Sequence, residues 1–437
     1  MFNFKNYPSS LIVNSYLLLL LSFFLTVSIY VTDIIILLLA LSWLISGDFK
    51  KKIIKIYKNP ITYSTLCFLT YFLISYFWSE SEMFNVTTKK QLLLLLLPVL
   101  YTLDFKESYI EKCKYGFILG LIANILLSII TLFFPSNSLF KKGHYDDSMF
   151  IHGFLDHFDY SIFLCFGLFF LVSILNSKNF WKYFILIIIF FIALLNSYGR
   201  IGIISFFIFL PIIIIFFKKS KINYYLLFTM LSFGVCSYYI FHPLKNRINE
   251  TFENIASLYN PKSLEEKIED DAVYLDKKND TLSQEYFKKE ILKNKEWIQE
   301  IENKAPQHET SIGKRYLYMK NSLSLTNESL LFGAGANQFK QLYKKIFDHH
   351  DEINHPHNNF IFILIELGVF GLGLMLYIFY CQIKLFFTKK ESHFLKLIFP
   401  LYFLWIMLFD NYFLNHNSLV FFCFFSFLIY YKNIKLN

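Results

Sequence analysis

Long apolar runs recur along this chain, separated by short lysine-bearing connections, and that recurrence leaves it few ways to fold. A helix needs roughly 20 apolar residues to cross a bilayer. Stretches of about that length stand at 11–29, 31–46, 61–78, 91–104, 115–134, 159–176, 182–197, 201–217, 222–241, 358–380, 394–409 and 416–431. In hydrocarbon each backbone N–H and C=O must find its partner within the segment, so such runs become helices. The expected fold is an all-α polytopic membrane protein of about twelve transmembrane helices. Nine of them fall within 1–242 and three within 358–437, with a large extracytoplasmic loop over 243–357 between. Composition agrees, since 55% of the 437 residues are hydrophobic, more than a water-soluble surface of this size can hide. The first run has no small-residue cleavage site before its end and reads as a retained helix. Cys67, Cys113, Cys165, Cys236, Cys381 and Cys423 lie mostly inside apolar runs without metal-type spacing, and read as packing residues.

A net charge of +9 would suit nucleic acid, but the distribution of the lysines points elsewhere. Lys50, Lys51, Lys52, Lys55 and Lys58 lie between the second and third runs, and Lys106, Lys112 and Lys114 between the fourth and fifth. Lys178 and Lys182, then Lys218, Lys219 and Lys221, then Lys384, Lys389 and Lys390 continue the series. All are even-numbered connections, which the positive-inside rule assigns to the cytoplasm together with both termini. The odd-numbered ones carry only Lys89, Lys90, Lys141, Lys142 and Arg200, apart from 243–357, which is long enough to be exempt. The expected partners are membrane lipids, with no nucleic acid. Chemistry on the outer side has no ATP or nucleotide sugar to draw on, and no P-loop or dinucleotide-binding glycine pattern appears. Within the long loop, 282–304 spaces Phe287, Ile291, Ile298 and Ile301 as an amphipathic helix would.

That loop ends in His355-Pro356-His357-Asn358, and the apolar run beyond it carries Gly368 and Gly371. Upstream stand Gly313-Lys314-Arg315-Tyr316 and then Gly333-Ala334-Gly335-Ala336-Asn337. This pattern, from about Arg315 to Leu376, resembles the O-antigen ligase superfamily, in which an Arg opens a short helix and a Gly-x-Gly turn precedes a His-Asn pair. Arg200, in a short outer turn, matches a further Arg of that family. The resemblance implies a glycosyltransferase C-like membrane enzyme at the periplasmic face of the bacterial inner membrane. Its donor would be an undecaprenyl diphosphate-linked glycan and its acceptor a sugar hydroxyl of the lipid A-core, with no cofactor and no metal. A polymerase adding to a second lipid-linked repeat, or a protein O-oligosaccharyltransferase, would use the same chemistry.

The residue types fit those roles. A sugar hydroxyl is a weak nucleophile, and imidazole is the side chain best suited to take its proton near neutrality, which points to His357. His355 and Asn358 flank it as substrate-binding or positioning groups. Arg200 and Arg315 offer the planar fork that grips phosphate oxygens, although an Arg at a membrane face also snorkels to headgroups. Lys89 and Lys90 open the fourth run on the outer side, as extra diphosphate contacts or as headgroup anchors. His349, His350, Asp351 and Glu352 cluster in sequence with His355 and His357, without a closed zinc spacing. Asp146, Asp147, His152, Asp156, His157 and Asp159 make an acidic outer stretch that suits a sugar or plain solvation. Glu366, nine residues past His357, is expected on the opposite helix face, paired within the bundle and away from the site. A transporter, the remoter alternative, would place several charges near the midplane, where this chain has few.

Overall fold

The computed structural model describes residues 8–81, 85–133, 155–175, 179–197, 199–218, 221–240, 242–259, 311–347, 353–388 and 393–435, with no strand among them. The first half runs α1 (Pro8–Phe24), α2 (Ile29–Ile45), α3 (Phe49–Lys58), α4 (Pro60–Ile74), α5 (Val86–Gln91), α6 (Leu96–Thr102) and α7 (Glu107–Phe133). There follow α8 (His157–Ile174), α9 (Phe180–Leu195), α10 (Arg200–Ile212), α11 (Lys221–Ile240) and α12 (His242–Tyr259). The described chain resumes with α13 (Ser311–Ser324), α14 (Phe339–Ile346), α15 (Asn359–Phe387), α16 (Leu395–Ile406) and α17 (His416–Lys435).

Five helical stretches are long and apolar enough to cross a bilayer: Pro60–Phe77, Glu107–Ile130, His157–Ile174, Arg200–Phe217 and Asn359–Phe387. Two sharply bent pairs, Ile29–Ile45 with Phe49–Lys58 and Asn223–Ile240 with Leu244–Ala256, raise the number to seven. The protein is therefore a multi-pass membrane protein. Among the described residues, full-length crossings fall short of twelve, because several apolar runs fold into shorter helices such as Ser10–Phe24, Phe180–Leu195 and Leu395–Ile406. The run at 91–104 is divided further, with a 3₁₀ turn at Leu92–Leu95 separating α5 from α6. The amphipathic stretch 282–304 and the 349–352 cluster lie outside the described residues, as do Asp146, Asp147 and His152.

Helix starts are set locally. Asn59 caps α4, its Oδ1 accepting from the Ile61 and Thr62 amides with Pro60 at the first helical position. Phenylalanine builds the centre. Helix α8 is buried from Asp159 to Ser173, and its rings meet those of α16 and α17, with Phe163 stacked on Phe421 at 4.6 Å and Phe166 edge-on to Phe425 at 4.8 Å. In lipid, helices associate through such packing rather than by escaping water, and each aromatic pair adds about 0.5–1.5 kcal/mol. This rigid core holds the starts of α8, α15 and α17 and the end of α16 at one end of the bundle.

Candidate active site

Two turns meet at that end, 353–358 before α15 and 407–415 between α16 and α17. Asn358 caps α15, its Oδ1 accepting from the Phe360 and Ile361 amides at 2.9 and 3.0 Å. Its Nδ2 donates to the Leu408 carbonyl at 3.0 Å. Next to it, the Asn359 amide donates to the Met407 carbonyl, and the Asn359 Oδ1 accepts from the Phe413 amide. The His-Asn motif thus fastens the second turn to the first. From the far side Asp159 does the same, accepting from Asn417 at 2.8 Å and Asn415 at 3.1 Å. The group presented between these ties is Asp410.

Asp410 Oδ1 lies 3.3 Å from His357 Nδ1 and 4.0 Å from His355 Nδ1, and its Oδ2 lies 3.6 Å from an Arg315 guanidinium nitrogen. His357 holds a left-handed backbone (φ 54°), its amide donating to His355 Nδ1, and its ring faces Tyr318. Arg315 also covers the Phe158 ring at 5.6 Å. Burial alone would push the Asp410 carboxyl up. The hydrogen bond from His357 and the charges of His357, Arg315 and His355 outweigh that and hold it down at about 2. His355 moves the same way for another reason: burial first, then its coupling to His357 and the charges of Arg315 and Lys90, against the pull of Asp410, keep its imidazole neutral down to about 4.

His355, His357 and Asp410 open on a cavity of about 760 Å3, whose wall also includes Lys90, Lys340 and Glu366 with Asn85, Asn337, Asn411 and Asn415; Arg315 stands behind Asp410, outside that wall. The amides suit sugar hydroxyls, and the lysines suit an anion. His355, His357 and Asp410 bring three donor atoms within 4.8 Å of one another, a set a metal ion can use. Arg315 on the same carboxylate and Lys90 nearby make the surroundings positive, which favours an anion over a cation. Glu366 corrects the sequence expectation, because it lines the same cavity as His357. Counting 100° per residue fails because His357 is left-handed and the helix begins only at Asn359.

The glycines explain how the far wall is held. Gly368 (φ 66°, ψ −171°) breaks α15, and a Cβ there would lie 2.3 Å from the Leu331 carbonyl oxygen. A Cβ at Gly333 would lie 2.3 Å from the Glu366 carbonyl oxygen. Backbone therefore meets backbone: Ala334 donates to Ile365, Gly335 to Glu366 and Val369 to Leu330, all at 2.8–2.9 Å. The Glu366 Oε1 then accepts from the Phe339 amide, starting α14 and placing Lys340 on the cavity. Ser79 and Ser81 donate to the Ala336 and Asn337 carbonyls, and Asn337 bonds the Tyr76 hydroxyl, linking this turn to the segment that carries Lys90.

Arg200 begins α10, wedged against α8 because Gly199 and Gly202 bring its turn onto Ser161. It pairs with Glu250 of α12 at 3.3 Å and stands outside the cavity wall. Lys89 is exposed and does not reach the wall, whereas Lys90 does. Residues 184–376 match the family model described as O-antigen ligase. That match supports the O-antigen ligase superfamily. No curated protein matches it at a significant level.

The matched region holds Arg200, Arg315, His355, His357, Asn358 and Glu366. Asp410 and Lys90 lie outside it, and Asp410 did not emerge from the sequence reading. A signal was present. Asp410-Asn411 and Asn415-His416-Asn417 interrupt the last two apolar runs in an odd-numbered connection, on the side assigned to His357. An acid in a short outer connection, facing a loop rich in His and Arg, was the clue.

Proposed function

We propose that this protein is an O-antigen ligase, moving a glycan from an undecaprenyl diphosphate carrier to a sugar hydroxyl of the lipid A-core at the outer face of the inner membrane. The observation that carries the reading is the line Arg315–Asp410–His357, one carboxylate between a guanidinium at 3.6 Å and an imidazole at 3.3 Å, with the carboxylate and the imidazole at the wall of a polar cavity and Arg315 behind them. With its Nδ1–H given to Asp410, His357 keeps the Nε2 lone pair for the acceptor. As the acceptor oxygen attacks the anomeric carbon, its proton passes to Nε2. The bond from that carbon to the diphosphate breaks, and its electron pair stays on the departing oxygen. Arg315 and Lys90 stabilise the growing negative charge, and Arg200 joins them once the diphosphate competes for its Glu250 partner. Asp410 meanwhile balances the imidazolium. His355, neutral and holding the His357 amide, and Asn358, tied to the Asp410 turn, act as positioning residues. Lys89 serves the lipid headgroups.

The test uses purified protein with the lipid-linked donor and a lipid A-core acceptor, in the presence of EDTA. His357→Ala should still bind the donor while transfer falls about 10²–10⁴-fold, the usual worth of a general base. Transfer by His357→Ala at near the wild-type rate would remove the proposal. Extension of the carrier-bound glycan in place of acceptor glycosylation would reassign the protein as a polymerase.

A further inference from the structure

A second cavity, of about 200 Å3, lies at the opposite end of the bundle from His357. The start of α7, the end of α8, the start of α16 and the end of α17 enclose it. These ends belong to connections that the lysine distribution assigns to the cytoplasm. One side of the cavity is apolar, with Phe170, Ile174 and Leu428, and along the rim Lys114, Lys396 and Lys432 face Glu107 and Glu111.

Among the described residues the charges do not balance. Lys114 and Lys432 both close on Glu111, at 2.6 and 3.0 Å, and Lys432 reaches Glu107 at 4.0 Å. A further cation, Lys218, comes in behind α8 and donates to the Ser173 carbonyl at 2.9 Å. Among the described residues, three ammonium groups thus line the cavity with two carboxylates, and a fourth stands behind it. His393 on the same rim registers the excess. Crowding by protein atoms first, then the charges of Lys218, Lys114 and Lys396, holds its imidazole down to about 4. A slot that is apolar on one wall, cationic on the other and placed at the bilayer rim has the chemistry of a phospholipid's phosphate with the first carbons of its tail.

We propose that this slot binds the headgroup of an anionic phospholipid from the cytoplasmic leaflet, with Lys396 and Lys114 on the phosphate and the glycerol carbons against Phe170 and Leu428. Bound there, the lipid fastens together the ends of four helices, two of which, α8 and α17, carry the Asp159 and Asn417 ties at the other face.

Thermal unfolding of the full-length protein in a neutral detergent tests this, with phosphatidylglycerol, phosphatidylcholine or inorganic phosphate as the added probe. Phosphatidylglycerol should raise the midpoint by ~1–3 °C, and the other two should not. Lys396→Gln should lose that increment. Native mass spectrometry of Lys114→Gln gives a second reading, in which fewer phosphatidylglycerol molecules than in the wild type should stay bound. An equal increment from phosphatidylcholine, a full increment from inorganic phosphate alone, or an undiminished increment in Lys396→Gln together with undiminished lipid retention in Lys114→Gln would each overturn the assignment.

Discussion

Replacing Asp410 by Asn isolates the part of the site that electrostatics is asked to supply. A carboxyl held at about 2 against an ordinary 3.8 prefers its ionised form by roughly 2 kcal/mol, at about 1.36 kcal/mol per pH unit. That preference comes mainly from His357, with Arg315 and His355 adding to it, and it survives the opposing effect of burial. The same interaction stabilises the imidazolium that forms as the acceptor loses its proton. Asn keeps the shape, and its Oδ1 can still accept from the Asn411 amide as Asp410 does at 2.8 Å. Lost charge alone should therefore slow transfer roughly 30-fold. Where the Asn amide turns its N–H towards Nδ1, the wrong tautomer is held and the loss should approach 10⁴-fold. Single-turnover transfer from the lipid-linked donor, with donor binding measured separately, reads both. The double variant with His357→Ala should be scarcely slower than His357→Ala alone, because a partner cannot help a base that is gone. An Asp410→Asn protein within threefold of wild type, or losses that simply multiply in the double variant, would refute the pairing.

Arg315→Lys and Arg200→Lys should each lose most of their transfer activity while the protein accumulates normally, since an ammonium cannot grip two phosphate oxygens at once; full activity in either would make that residue a charge anchor only. Gly368→Ala should destabilise by more than the ~1–3 kcal/mol of its backbone strain, because the added carbon also strikes the Leu331 carbonyl, whereas Gly47→Ala, at φ 61° with nothing within 4 Å, should cost only the strain; thermal midpoints in detergent compare the two. His355 is held neutral to about 4 when folded, while the unfolded chain takes up its proton near 6.5. Stability should therefore be full above about pH 6.5 and fall as the pH drops towards 4, and His355→Asn should flatten that slope in pH-dependent unfolding.

Several parts of this protein were legible in its residues alone. Apolar runs long enough for a bilayer dictate helices, because no other backbone satisfies itself in lipid. Lysine asymmetry groups Arg200, Lys90 and His357 on one side, and the His-Asn and glycine spacing points to the superfamily. Which runs make full crossings was decided by breaks that hydropathy does not report, such as the left-handed Gly47 and Asp48 at the bend after α2. The site was decided by tertiary contacts. Asp410 lies 53 residues from His357 in sequence and meets it only because Asn358, Asn359 and Asp159 hold its turn in place. Glu366 was misplaced by a helical count that ignored the left-handed His357 ahead of the helix. The glycines announced themselves, but why they are glycines appears only where two backbones close to within a Cβ of each other. Local periodicity follows from bonds along one segment, whereas a charge pair or a backbone contact depends on which distant segments the packed core brings together.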